Sequence, residues 1–195
     1  IPNLLLTGGA GVGKTTVAKA MLDEIGYDYI LINGSEESGI DVLRNKMKNF
    51  ASTMSLEGSR KFIIIDEADY LNPQSTQPAL RGMIEEFHKN CGFILTCNYV
   101  ERIIDPIQSR CQSYKVVPPS KKEVAQQMVK ILNKESVKYK LDDVAMIVNA
   151  GYPDIRRVIN SAQRQIVDGK LKIDTSSVIQ NNYKLQLVFV ILHFH

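Results

Sequence analysis

The octet Gly8-Gly-Ala-Gly-Val-Gly-Lys-Thr15 constrains this chain more than any other feature. It follows a short apolar run, residues 3–7, that stops at glycine as a buried strand does. It opens a stretch, residues 14–25, in which Val17, Met21, Leu22 and Ile25 recur at helical spacing. Glycines in such a turn permit dihedrals that aim successive backbone N–H groups inward, and the N-terminus of the following helix adds partial positive charge. The GxxxxGK[ST] pattern between a strand and a helix is therefore a phosphate cradle. Gly8, Gly9, Ala10, Gly11, Val12, Gly13 and Thr16 are expected to line it. Lys14 is expected to reach the β- and γ-phosphates of a nucleotide, and Thr15 to offer a hydroxyl to Mg²⁺.

The apolar pattern downstream fixes the fold class. Further strands are expected at 28–32, 62–65, 93–97 and 113–117, with helices at 40–54 and 73–88 between them. Strands alternating with helices, written as continuous apolar runs, indicate an α/β domain whose parallel five-stranded sheet is covered on both faces. Pro118-Pro119 breaks the pattern, because each proline removes a donor and restricts the residue before it. A small all-helical domain is expected beyond it, with helices at 121–133, 141–150 and 153–167 and a short piece at 174–179. The expected division is 1–117 for the α/β core, 118–180 for the helical domain, and 181–195 for an unassigned apolar tail.

Composition excludes some classes. With 44% hydrophobic and 23% charged residues the chain is neither a disordered tail nor a coiled coil. Its longest apolar run, residues 187–192, is far short of the roughly 20 residues a spanning helix needs, so no membrane partner is expected. Net charge is only +3, but residues 1–117 hold 12 basic and 14 acidic groups while 118–180 hold 11 and 7. Cys91, Cys97 and Cys111 form no CxxC pair, which suits a reducing, cytoplasmic setting and argues against a disulfide framework or zinc knuckle.

The second half of the nucleotide site is Ile63-Ile-Ile-Asp-Glu67. A carboxylate at the C-terminal end of a buried strand lies at the crevice where such sheets bind ligands. Asp66 is expected to hold Mg²⁺, and Glu67 to polarise the attacking water as a base. No NKxD-type guanine-reading element is present, which favours ATP over GTP.

Asp66-Glu-Ala-Asp69, Leu95-Thr-Cys-Asn98, Ser109-Arg-Cys111 and Pro153-Asp-Ile-Arg-Arg157 occur in the motif order of AAA+ ATPases with a RecA-like core and helical lid. The chain resembles this family, and through Ser109-Arg-Cys111 its sliding-clamp loaders. It is similar to the large subunit of T-even-type bacteriophage loaders, which is like replication factor C small subunits. The resemblance covers residues 4–157 most strongly. It implies that Asn98 is a sensor of the γ-phosphate and that Arg110 is an arginine finger serving a neighbouring subunit. It also implies that Arg156 reaches from the lid to its own site, with Arg157 as its solvated neighbour. Asn33 matches a polar switch residue that restrains Glu67 until DNA binds, although Asn before Gly is also a plain turn.

The same resemblance implies partners: other loader subunits in a hetero-pentamer, a sliding clamp, and primer–template DNA. The helix expected at 40–54 tracks duplex phosphates in clamp loaders. Arg44 and Lys48 share the face opposite its apolar stripe, and Lys46 lies near. A merely solvated face is the competing reading. Arg81 matches an arginine on a helix coupling DNA to the ATP sites. The family's adenine-covering N-terminal segment and C-terminal collar are absent from these residues. The fragment is therefore expected to bind ATP weakly and turn it over poorly. A helicase motor or helicase loader on the same fold, and a non-hydrolysing structural subunit, are the rival readings.

Overall fold

The computed structural model describes residues 1–36, 39–53 and 60–173. The chain divides into two compact units, 1–117 and 118 onward. The helix expected at 174–179, the tail 181–195 and Met54 lie outside the described residues. In chain order the first unit runs β1 (Leu4–Thr7), α1 (Lys14–Ile25), β2 (Tyr29–Asn33), α2 (Ile40–Ser52) and β3 (Lys61–Asp66). A 3-10 turn (Ala68–Tyr70), α3 (Thr76–Phe87), β4 (Cys91–Cys97), a second 3-10 turn (Val100–Arg102), the short α4 (Asp105–Gln108) and β5 (Gln112–Lys115) complete it.

The five strands form one parallel sheet in the order β2-β3-β4-β1-β5. Apolar runs without alternation are what a sheet buried on both faces requires, and successive residues divide between two cores. Leu5, Ile63, Ile65, Phe93 and Leu95 face Leu43 and Met47 of α2 and Leu80, Met83 and Ile84 of α3. Leu4, Leu6, Phe62, Ile64 and Ile94 face Ala18 and Leu22 of α1. Each fully buried side chain of this size contributes about 1.5–3 kcal/mol.

Several boundaries differ from expectation, with β4 starting two residues early at Cys91, and two elements show the local reasons. Pro73 does not open α3. Asn72 Oδ1 accepts from the N–H groups of Gln74 and Ser75, making a turn that delays the helix to Thr76. Pro78 falls instead in the first helical turn, where its missing N–H would be unpaired anyway. The fifth strand starts one residue early and ends two early, and all four of its residues are exposed because it pairs only with β1 at the sheet edge.

The second unit contains α5 (Lys121–Lys134), α6 (Leu141–Gly151) and α7 (Ile155–Arg164). Val124, Met128, Leu132, Val144, Ile147, Val148, Val158 and Ala162 form its core. Ser120 and Glu123 build a reciprocal capping box at the start of α5, and Asp154 caps α7. This unit is not all-helical. The helix expected to reach residue 167 stops at Arg164, and β6 (Ile166–Val167) pairs antiparallel with β7 (Lys170–Leu171). The turn between them is Asp168-Gly169, both at positive φ (52° and 67°), which is the geometry a two-residue hairpin demands.

Candidate functional site

The phosphate loop and the ends of β3 and β4 converge at the C-terminal edge of the sheet. Gly8 shows why the loop needs glycine. Its φ is +154°, and a Cβ there would lie 2.6 Å from the Val116 carbonyl oxygen. Lys14 opens α1 and is only 8% exposed. Its Nζ donates to the carbonyl oxygens of Gly8 (3.0 Å) and Gly9 (2.8 Å) and to Asn98 Oδ1 (2.7 Å). Thr15 Oγ1 donates to Asp66 Oδ1 at 2.6 Å. The structure thus brings Lys14 to Asn98 and Thr15 to Asp66, across sequence separations of 84 and 51 residues.

Three further residues support the site. Thr96, 1% exposed, donates its hydroxyl to Asp66 Oδ1 and accepts the N–H of Glu67 at 3.2 Å. Asp69 is buried, and its Oδ2 accepts the N–H groups of Asn98 and Tyr99, both at 3.2 Å. Gln77 is fully buried and ties Leu71 and Arg102 carbonyls to the N–H of Ile104. Asp69 was visible as the last residue of Asp66-Glu-Ala-Asp69. Thr96 meets Asp66 through strand register, and Gln77 meets its partners through the packing of α3 on the following turns, neither of which a local pattern encodes.

Glu67 follows β3 with a left-handed backbone (φ 54°, ψ 43°), a costly conformation for a non-glycine residue that separates it from the line of Asp66. The backbone of Gly34 approaches it so closely that a Cβ would lie 2.7 Å from Glu67 O. Asn33 pairs with Asp66 in the β2–β3 register. Its Oδ1, however, accepts from Ser35 N (3.0 Å) and Ser35 Oγ (2.9 Å), so its side chain serves the turn reading here. Burial pushes the Cys97 thiol up to about 11, with Asp69 adding to the rise and Lys14 opposing it.

The other expected residues lie elsewhere. Parallel pairing of Gln112 with Leu4 puts Arg110 at the N-terminal end of the sheet. The phosphate loop follows the C-terminal end of β1, which is about 10 Å long. Asn3, just before β1, donates its side-chain amide to Arg110 O at 3.5 Å. The Arg110 guanidinium engages Glu85 of α3 and the Pro106 carbonyl. Arg44, Lys46 and Lys48 are exposed on α2, off the buried stripe of Leu43 and Met47, and Arg81 is exposed on α3. Arg156 and Arg157 are exposed on the first turn of α7, in the second unit.

The donor set fits a nucleoside triphosphate with magnesium. Among the described residues no group of three or more His, Cys, Asp or Glu could hold a metal ion unaided. Magnesium needs no such cage, since it is held by one or two hard oxygens together with substrate phosphates and water. Thr15 Oγ1 and Asp66 Oδ1 are such a pair, and Lys14 supplies a cation beside them.

A family model described as ATPase family associated with various cellular activities (AAA) matches residues 4–119. The replication factor C small subunit of Archaeoglobus fulgidus is 39% identical over 186 residues, covering 92% of this chain and 58% of that protein. That of Methanoculleus marisnigri is 41% identical over 169 residues, covering 84% of this chain and 52% of that protein. The chain therefore spans little more than half the length of these relatives. Both are archaeal, so they support likeness to replication factor C and not to the bacteriophage branch. Among solved structures, a Thermotoga maritima RuvB Holliday junction branch migration motor superposes with a TM-score of 0.72 at 19% identity. It covers 93% of this chain and 61% of that one, which establishes a shared fold. No helix among the described residues is long and apolar enough to cross a membrane.

Proposed function

The chain belongs to the family of ATPases associated with various cellular activities, and from that premise we propose that it is the motor portion of a sliding-clamp loader subunit. In this reading it binds and hydrolyses ATP to open a ring-shaped clamp and leave it on primer–template DNA. One observation carries the proposal: Lys14 and Arg110 belong to opposite ends of one sheet. An arginine so placed is out of reach of its own phosphate loop, yet fits the site of the next subunit in a ring. A guanidinium delivered in this way is worth 10³–10⁵ in rate.

At its own site the chain divides the work. Lys14 neutralises the β- and γ-phosphate charge, Thr15 and Asp66 would hold Mg²⁺, and Asn98 orients the γ-phosphate or the lytic water. Glu67 takes a proton from that water during in-line attack. Mg²⁺, when bound, supplies charge neutralisation at the phosphate oxygens. By the family resemblance Arg156 serves as the γ-phosphate sensor, and Asn33 restrains Glu67 after leaving Ser35. Arg44, Lys46, Lys48 and Arg81 contact DNA phosphates, independently of sequence, as a loader acting at any primer junction requires.

The partners are other loader subunits in a hetero-pentamer, the clamp, and primed DNA, in the cytoplasm. Likeness to archaeal relatives favours a replication-factor-C-type loader over a bacteriophage one. The fold is shared with a branch-migration motor, so fold alone does not decide between a loader and a helicase. A non-hydrolysing role is disfavoured by the retention of Lys14, Thr15, Asp66, Glu67 and Asn98.

The test is ATP turnover by the full-length subunit in its assembly, with and without primed DNA and clamp. Strong stimulation by both together supports a loader. Stimulation by DNA alone, indifferent to the clamp, supports the helicase-class reading.

A further inference from the structure

Taking Arg110 as a finger acting in trans, we infer that Glu85 is the positioning residue that holds it ready. Arg110 Nε donates to Glu85 Oε1 at 2.8 Å, and one Nη donates to the same oxygen. The other Nη donates to the Pro106 carbonyl at 2.6 Å and lies 3.5 Å from Ser109 Oγ. A guanidinium carries five N–H donors, so this clamp fixes its plane while leaving donor capacity for a phosphate oxygen. The backbone is pinned as well, since Arg110 N donates to Ile107 O and Arg110 O accepts from Asn3. The side chains of Arg110 and Glu85 remain 36% and 49% exposed, so the pair stands at the surface where a neighbour can dock.

Within α3 the local support for a carboxylate at this position is weak, an i,i+4 neighbour in Arg81. Glu85 lies in the last turn of α3, where the helix dipole is unfavourable to negative charge and where basic residues are absent. An isolated exposed ion pair contributes little stability. A loose arginine stem, by contrast, loses much rotamer freedom when it must find a phosphate, and pre-ordering it removes that cost at the moment of assembly. Arg81 lies one turn earlier on the same face of α3. A single rigid helix thus carries both a proposed DNA contact and the anchor of the finger.

The experiment uses full-length subunits in the assembled complex and measures DNA- and clamp-stimulated turnover. The variants are Glu85→Ala, Glu85→Gln, Arg110→Ala and the double substitution Glu85→Ala/Arg110→Ala. Glu85→Ala is expected to lower kcat by about 10–100-fold, the scale of a misplaced catalytic group, with KM for ATP changed less than about 3-fold. Glu85→Gln recovers part of the loss, because its amide oxygen still accepts from the guanidinium. On the Arg110→Ala background Glu85→Ala adds nothing, whereas a merely structural role would add its own loss. Unchanged kcat in Glu85→Ala, beside a large loss in Arg110→Ala, overturns the positioning role and leaves the finger intact. Unchanged kcat in Arg110→Ala overturns the finger reading itself.

Discussion

Replacing Thr96 by valine removes one hydroxyl and almost no volume, and that hydroxyl joins the two acidic residues of the site. Thr96 Oγ1 donates to Asp66 Oδ1 and accepts Glu67 N–H at 3.2 Å, at a position only 1% exposed. A hydrogen bond to a charged acceptor contributes about 1.5–3 kcal/mol, and a buried N–H left without a partner costs about 1–3 kcal/mol. The added methyl returns about 0.8 kcal/mol. The balance is a loss of about 2–5 kcal/mol, a large share of the stability of an ordinary domain. Equilibrium unfolding in urea measures it, with Thr96→Ser as the control that keeps the hydroxyl. Turnover should fall more than nucleotide affinity, because Lys14 keeps its contacts while Asp66 and the Glu67 backbone lose a shared anchor. If Thr96→Val unfolds at the same urea concentration as Thr96→Ser and turns over ATP normally, the reasoning is refuted.

Other outcomes follow from single contacts. Lys61 is buried, and its Nζ donates to the carbonyl oxygens of Phe50 (2.9 Å) and Thr53 (2.7 Å), closing the C-terminus of α2. Lys61→Met should cost about 2–3 kcal/mol in urea unfolding by leaving those carbonyls without their charged donor. The thiols of Cys97 and Cys111 are pushed by burial from an ordinary value of 9.0 to about 11. At pH 8 about 0.1% of each is thiolate, so iodoacetamide should label them only when denaturant opens the fold. Between pH 9 and 11 the unfolded thiols have lost protons that the folded ones retain. Stability should therefore fall as pH rises through that window, and a Cys97→Ala/Cys111→Ala protein should show a flatter dependence.

What was legible in the sequence was whatever rests on local pattern. Phe62–Ile65 and Phe93–Cys97 read as buried strands because they are apolar without alternation, and the glycine-rich octet announces its own turn. Contacts that depend on strand register were not legible. With Ile65 opposite Leu95, Asp66 and Thr96 come side by side, although neither residue type predicts the other. The pairing of Glu85 with Arg110 depends in the same way on where α3 ends relative to the start of β5. Some errors had a signal that competing cues outweighed. Pro73 drew the helix start forward when Asn72 was the turn former. Ile166 and Val167 extend the apolar pattern of the helix expected at 153–167, whereas they form a strand before the Asp168-Gly169 hairpin turn.

Complementation between two defective subunits tests the opposed placement of Lys14 and Arg110 most directly. Assemblies of Lys14→Ala subunits alone and of Arg110→Ala subunits alone should each be nearly inactive. Mixed one to one before assembly, they should regain about a quarter of wild-type turnover per interface, since a sound phosphate loop then meets a sound finger at one junction in four. Mixtures no more active than their components would mean that Lys14 and Arg110 must act within one chain, and would contradict the account.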